Sequence, residues 1–382
     1  MERAIYNEEH KLFAQSVKDF VAKEIQPHNA KWEKDQMVSR ESWLKFGEAG
    51  YLCMQIDEEY GGLGIKDFRY NAIVTEELAR AGLAGPAVGY PLHSDIVAPY
   101  IDHYGTEAIK KKWLPKMISG EAIGAIAMTE PGAGSDLQNI RTTAVDKGDH
   151  YLVNGSKTFI TNGYLSDISV VAVKTDPSKG AKGTSLLLIE SSRKGFTKGK
   201  PFEKIGLHAQ DTCELFFENI EVPKENLIGN EGEGFKYMMT ELSQERLLVA
   251  LSAIAAAEGS LARTVQYTKE RNAFGKPISE FQNTRFKLAE VATEVTIGRT
   301  FADRCVELHS DKKLDQATAS MAKYWLTDLQ GKVADECLQL HGGYGYIWEY
   351  AIARAWADAR VQRIYAGTNE IMKELIVRSV LK

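Results

Sequence analysis

The chain has 382 residues, 44% of them hydrophobic and 26% charged, and a formal net charge of −5. That is an ordinary soluble composition, long enough for two or three domains, with no basic surplus for nucleic acid and no like-charge tail. Cys53, Cys213, Cys305 and Cys337 are widely spaced without a CxxC pair, and the eight histidines show no HExxH or paired ligand spacing. Buried thiols are therefore expected, and no metal site.

The N-terminal stretch MERAIYNEEHKLFAQSVKDF enters an amphipathic helix that carries acids. It lacks the apolar core of a signal peptide and the acid-poor bias of a transit peptide, and no apolar run is long enough to cross a bilayer. A cytoplasmic location is the simplest expectation, and a mature mitochondrial matrix form reads the same way. Residues 1–121 are expected to be helical. Leu12, Phe13, Val17, Phe20, Val21 and Ile25 share one face, and Pro27 is expected to end that run. Trp43, Leu44, Phe46 and Leu52 suggest a short second helix. EEYGGLG (58–64) reads as a turn, and further helices are expected at 68–81, 95–104 and 107–118.

The texture changes near Ile123. Residues 122–232 carry short alternating or apolar runs punctuated by Asp, Gly, Lys and Ser, including a hairpin loop DKGD at 146–149, and read as a small β-barrel or sandwich. From 233 to 382 the chain is helical again. The stretch 237–275 has no proline, one interior glycine (Gly259) and apolar residues at three- and four-residue steps, which predicts one long helix with Gly275 as its left-handed cap. Helices at 279–310, 315–340, 350–361 and 368–381 follow, with HGGYGY (341–346) as a break, and together suggest an antiparallel bundle. The fold class is thus multidomain α+β: a helical domain, a β domain and a helical bundle. No GxGxxG follows a strand, so the Rossmann fingerprint is absent.

Several stretches carry chemistry-bearing residues. In TEPGAGSD (129–136), Gly132 and Gly134 free the backbone, so amides and the hydroxyls of Thr129 and Ser135 are able to meet a planar polar ring. FITNG (159–163) ends a strand with an aromatic and a hydroxyl. RNAFGKPISEFQ (271–282) offers a cation, an aromatic and Gln282, suited to a phosphate and an adenine. QLHGGYG (339–345) has paired glycines suited to a pyrophosphate. In YAGTNE (365–370), Thr368 is a candidate N-cap. On composition alone TEPGAGSD is more often a plain loop, FITNG and QLHGGYG read equally well as structural turns, and RNAFGKPISEFQ by itself is weakly specific. Glu245 beside Arg246, near the start of the long helix, is a candidate base, although a lone Glu beside Arg is more often solvated or paired.

The joint order of TEPGAGSD, FITNG, RNAFGKP with a Gln behind it, QLHGG and YxGTNE resembles the acyl-CoA dehydrogenase family over essentially the whole chain. Most members carry their catalytic Glu where this chain has Ala366. The long-chain and isovaleryl branches take the base from the long helix, and Glu245 in QERLL stands at that position. HSDIVAPYI, GLHAQDTCELFFE and ATASMAKYW are most similar to the long-chain branch.

The resemblance implies FAD, α-proton abstraction by Glu245 from a medium- to long-chain acyl-CoA, and electron-transfer flavoprotein as acceptor. Cofactor contacts carry over to Met128, Thr129, Gly134, Ser135, Phe159, Ile160, Thr161, Arg271, Phe274, Gln282, Gln339, Gly342, Gly343, Thr368, Asn369 and Glu370. Thioester or CoA contacts carry over to Ser135, Ser243, Gln244, Arg246, Ala366 and Gly367, with the Ala366 amide as an oxyanion donor. Glu245 and Arg271 are 26 residues apart, about 39 Å along a continuous helix, more than an extended FAD spans. Arg271 is therefore expected to reach a neighbour's FAD in a homodimer or dimer of dimers. The alternatives are a branched short-chain (isovaleryl-like) dehydrogenase, an acyl-CoA oxidase, or a non-catalytic flavin or acyl-CoA binding subunit.

Overall fold

The computed structural model describes residues 3–381. The first helix, Glu8–Phe20, is opened by a capping box at Asn7 and buries Val17. It does not end at Pro27. A π-helical turn (Val21–Ile25) and a 3-10 turn (Gln26–His28) lead into Asn29–Asp35. Pro27 sits in the first turn of the 3-10 segment, where its missing N–H is harmless. Helices Arg40–Glu48, Phe68–Arg80, Ala98–Tyr104 and Glu107–Ile118 lie where the apolar spacing places them.

Ala84–Pro91 is a helix that the sequence does not announce, because Gly85, Pro86, Gly89 and Pro91 disguise it. Burial stabilises it, since a Cβ on Gly85 would lie 2.7 Å from the Ala209 backbone.

The β segment is one eight-stranded sheet. Its strands are β1 (Gly124–Ala127), β2 (Thr143–Asp146), β3 (His150–Thr161), β4 (Ile168–Lys174), β5 (Thr184–Glu190), β6 (Phe196–Lys198), β7 (Thr212–Pro223) and β8 (Leu227–Ile228). The order is β6-β7-β3-β2-β4-β5-β8, with β1 beside β4. β2 and β3 pair antiparallel across Asp146–Asp149, as the DKGD loop predicts. One face gathers Ala125, Val153, Ile160, Val171, Leu187, Leu215 and Phe217 into an enclosed core. The alternate residues Val170, Ala172, Leu186 and Leu188 join the core of the N-terminal helices. β4 and β5 are therefore buried on both faces and read as unbroken apolar runs.

The long helix runs Gly234–Glu270. By length and composition it would suffice to cross a bilayer, contrary to the sequence reading, but 67% of its most apolar 18-residue window is buried within the protein. Gly259 is explained by packing: a Cβ there would meet the Arg80 carbonyl oxygen at 2.1 Å. The helix ends before Gly275, not at it. Arg271 is extended. Phe274 (φ 52°) and Gly275 (φ 81°) instead form the left-handed turn of a hairpin pairing Asn272–Ala273 with Lys276–Pro277. Gln282–Ser310, Gln316–His341 and Asn369–Val380 complete the bundle, with Ala351–Ala359 against it. The last helix starts at a Thr368 cap that accepts from the Ile371 N–H at 3.3 Å.

Candidate active site

Glu245 lies on the buried face of the long helix and is 6% exposed. The hydroxyl of Tyr100, from helix Ala98–Tyr104, donates to its Oε1 at 3.0 Å. Burial pushes the Glu245 carboxyl up to about 7; Glu241 adds to the rise, while the Tyr100 hydrogen bond and Arg246 oppose it. A carboxyl with that value is a competent base near neutrality. Arg246 is buried beside it, and its Nε and Nη1 have no hydrogen-bond partner. Burial lowers the Arg246 pKa, and Glu245 counters that. An unpaired buried guanidinium is costly unless it meets a polar or anionic ligand group.

The turn before the last helix belongs to the same region. Ala366 (φ 52°) and Gly367 (φ 88°) are both left-handed. Lys323, buried in helix Gln316–His341, donates to the Gly367 carbonyl at 2.8 Å and to Asn369 Oδ1 at 2.9 Å. Burial pushes the Lys323 ammonium down to about 7, with the positive charge of Arg246 contributing. Ala366 and Gly367 are thus braced from within the bundle. Asn369 is turned inward: its amide also donates to Thr327 and Asp328, so its side chain is not open to a ligand. Gln244 is similarly occupied, donating to the Asp95 carbonyl at 2.6 Å and lying 3.0 Å from His309 Nε2. Ser243 is half-buried, and Glu370 is exposed.

The flavin-contact candidates of the β domain share one lip. The Thr158 N–H donates to the Thr129 carbonyl at 2.9 Å, joining the ends of β1 and β3. A register shift between Lys157 and Ile160 lies opposite β7. It leaves Phe159 left-handed (φ 58°) and 66% exposed, with its ring 5.4 Å from that of Phe202. Such a bulge re-aims a side chain out of the sheet. Gly134 and Ser135 are exposed, and a Cβ at Gly132 or Gly134 would meet nothing. Met128 and Thr161 are half-buried; the Ile160 side chain is in the sheet core, which leaves its backbone for any contact. Below the lip, buried Lys157 donates to Glu130 at 2.8 Å and to the Met128 carbonyl at 3.0 Å, fixing the loop.

The far end of the long helix forms a second site. Arg271, Gln339, Gly342, Gly343 and Tyr344 line an open cleft of about 530 Å³. The Arg271 guanidinium lies 5.3 Å from the Tyr344 ring centroid. Phe274 is 95% exposed and Tyr346 90%. Gln282, at the start of its helix, is exposed. The sequence candidates therefore divide into a Glu245 cluster, a β-domain lip and an Arg271 cleft. A cation, a glycine turn and exposed aromatics suit the phosphate and adenine end of a dinucleotide. Tyr100 and Lys323 are absent from the sequence-derived set. Tyr100/Tyr104 and Glu241/Glu245 share a four-residue spacing, which puts each pair on one helix face but does not by itself report that the two faces meet.

Three family models match: acyl-CoA dehydrogenase N-terminal domain over residues 7–121, middle domain over 125–220 and C-terminal domain over 232–381. The chain belongs to the acyl-CoA dehydrogenase family. It is an oxidoreductase of the flavoprotein class that serves fatty-acid metabolism. The mitochondrial long-chain specific acyl-CoA dehydrogenase of Sus scrofa is 52% identical over 381 residues, covering 99% of this chain and 88% of that protein. An acyl-CoA dehydrogenase structure from Geobacillus kaustophilus matches with TM-score 0.96 and 54% identity, covering 99% and 100%. A glutaryl-CoA dehydrogenase from Mycobacterium smegmatis, in complex with FADH2, matches with TM-score 0.92 and 28% identity, covering 98% and 95%.

Proposed function

We propose that the chain is an FAD-dependent dehydrogenase of medium- to long-chain acyl-CoA thioesters, forming trans-2-enoyl-CoA and passing electrons to an electron-transfer flavoprotein. The observation that carries this is the buried Glu245, capped by Tyr100 and set beside the unpartnered guanidinium of Arg246. The 52% identity to a long-chain specific enzyme supports the chain-length class. The FADH2-bound neighbour, the exposed lip and the Arg271 cleft support the cofactor.

The residues fit FAD in two groups. Thr129, Gly134, Ser135, Phe159 and Thr161 would meet the ring system, and Arg271 with the Gln339–Gly343 turn would meet the phosphate and adenine end. When bound, FAD supplies the acceptor for the substrate's β-hydride.

The protein's part is proton chemistry and positioning. Glu245, deprotonated, takes the α-proton of the thioester. Its raised pKa brings the base closer to that weakly acidic carbon, and Tyr100 holds the carboxylate in one orientation. Negative charge that develops on the thioester oxygen needs a donor placed beforehand. The backbone N–H of Ala366 serves, and an alanine supplies an amide as well as a glutamate does. Lys323 keeps that turn in its left-handed form. The buried surroundings keep water from competing for the proton.

The helix is unbroken from Gly234 to Glu270. Glu245, about three turns in from the N-terminal end, and the Arg271 cleft at the other end are thus held apart by one rod, and a homodimer or larger assembly would let the cleft serve a neighbour's FAD. Light scattering should give at least a dimer, and a monomer that turns over acyl-CoA would refute the shared site. For the activity itself, the purified yellow protein should bleach on anaerobic addition of myristoyl-CoA and release trans-2-enoyl-CoA. No bleaching with any straight-chain acyl-CoA would refute it.

A further inference from the structure

Helix Ala98–Tyr104 and the long helix face each other through two matched rungs. On the inner rung, Tyr100 donates to Glu245 at 3.0 Å. One turn along each helix, Tyr104 donates to Glu241 Oε1 at 2.8 Å. The second carboxylate is also buried, at 9% exposure. It has a further partner, since His103 Nδ1 lies 3.0 Å from the same oxygen. The His103 side chain is about half exposed. Tyr104 is fixed from behind by stacking on Tyr237, with ring centroids 4.1 Å apart. A second buried carboxylate one turn from the base, tied to a histidine open to solvent, is more than packing requires.

We infer that Glu241 and His103 are positioning residues that act through Glu245: the charge of Glu241 keeps the base avid for protons, and His103 switches that charge on and off. The inference rests on Glu245 being the base, as proposed above. Like charges on adjacent helical turns repel, and more strongly in a buried site than in water. Protonated, His103 neutralises Glu241, and Glu245 feels little of it. Neutral, His103 leaves Glu241 uncompensated, and Glu245 holds its proton more tightly.

The remaining charged neighbours do not supply this control. Glu245 is otherwise faced by Tyr100 and Arg246. Glu241 is also within reach of His309 on helix Gln282–Ser310, but burial pushes His309 down to about 4, so it stays neutral. The hydrogen bond to Glu241 raises the pKa of His103; Asp102 assists and Lys110 opposes. His103 therefore keeps its proton, and compensates Glu241, to a higher pH than an ordinary imidazole would, and loss of that proton is coupled to the proton held by Glu245.

The test is the pH profile of kcat/KM for myristoyl-CoA in the FAD-loaded protein, which reports groups of the free enzyme. Glu241→Gln should move the acid limb down by about one pH unit. His103→Gln, which keeps a hydrogen bond but never a charge, should move it up. Loss of packing alone would lower kcat/KM without shifting the limb in opposite directions. An infrared titration of the unliganded protein gives a second readout independent of turnover: the buried carboxylic acid C=O band that disappears in Glu245→Gln should follow the same two shifts. If that band and the acid limb stay in place in both variants, the inference is overturned while Glu245 remains the base. If Glu245→Gln turns over at the parental rate, the underlying proposal fails instead.

Discussion

Glu245 should cost the folded protein stability at the pH where it works, and replacing it with Gln should recover that cost. The folded carboxyl titrates at about 7 against an ordinary value of 4.5, chiefly because it is buried. Its folded-state pKa is raised, so the folded protein holds a proton that the unfolded chain releases. Its contribution is intact below pH 4.5 and is lost as pH rises through 7. At about 1.4 kcal/mol per pH unit, the loss reaches about 3 kcal/mol by pH 8. Gln is neutral throughout and still accepts from the Tyr100 hydroxyl. Glu245→Gln should therefore match the parent near pH 4.5 and exceed it by about 3 kcal/mol at pH 8, a figure already net of the attraction between Arg246 and the ionised carboxylate. The assay is urea unfolding across that range at fixed protein and FAD concentrations. Parallel loss of stability in parent and variant would refute the assignment of a buried, raised carboxyl.

Three further outcomes are expected. Tyr100→Phe removes a hydrogen bond that favours the Glu245 carboxylate, so the acid limb of kcat/KM should move up, by about one to two pH units if a bond to a charged group contributes about 1.5–3 kcal/mol; an unmoved limb would refute the contact. Lys323→Met leaves the Gly367 carbonyl without its side-chain donor and Asn369 Oδ1 with only the Thr327 hydroxyl at 3.3 Å, and should destabilise by about 1–3 kcal/mol in urea unfolding and lower kcat more than it raises KM; a variant as stable and active as the parent would show that Lys323 does not brace the turn. Arg271→Ala should weaken FAD retention on gel filtration while leaving far-ultraviolet circular dichroism unchanged, since Arg271 is exposed; full FAD retention would remove it from the cofactor site.

Much of the fold was legible because period and burial agree. The long helix shows its apolar steps, and β4 and β5 are apolar throughout because both faces are covered. What sequence missed was set by tertiary contact. Ala84–Pro91 is helical in spite of its residues because its glycines let the chain pack against Ala209 and Gln210. Gly275 signals a left-handed residue correctly, but the hairpin uses it rather than the helix end. Pro27 looks like a stop, yet the chain passes through it by tightening to a 3-10 turn.

At the site, Glu245 and Arg246 were legible through motif order, whereas their partners were not. Tyr100 lies 145 positions away and Lys323 meets Gly367 across 44, separations over which no local pattern reports contact. Gln244 shows the converse: a polar residue beside the base that spends its amide on Asp95 and His309.

The most direct test compares anaerobic flavin bleaching by myristoyl-CoA in the parent and in Glu245→Gln, with FAD occupancy and acyl-CoA binding matched. The expected result is rapid bleaching in the parent and binding without bleaching in the variant. Bleaching of Glu245→Gln at the parental rate would place the base elsewhere and contradict the proposed site.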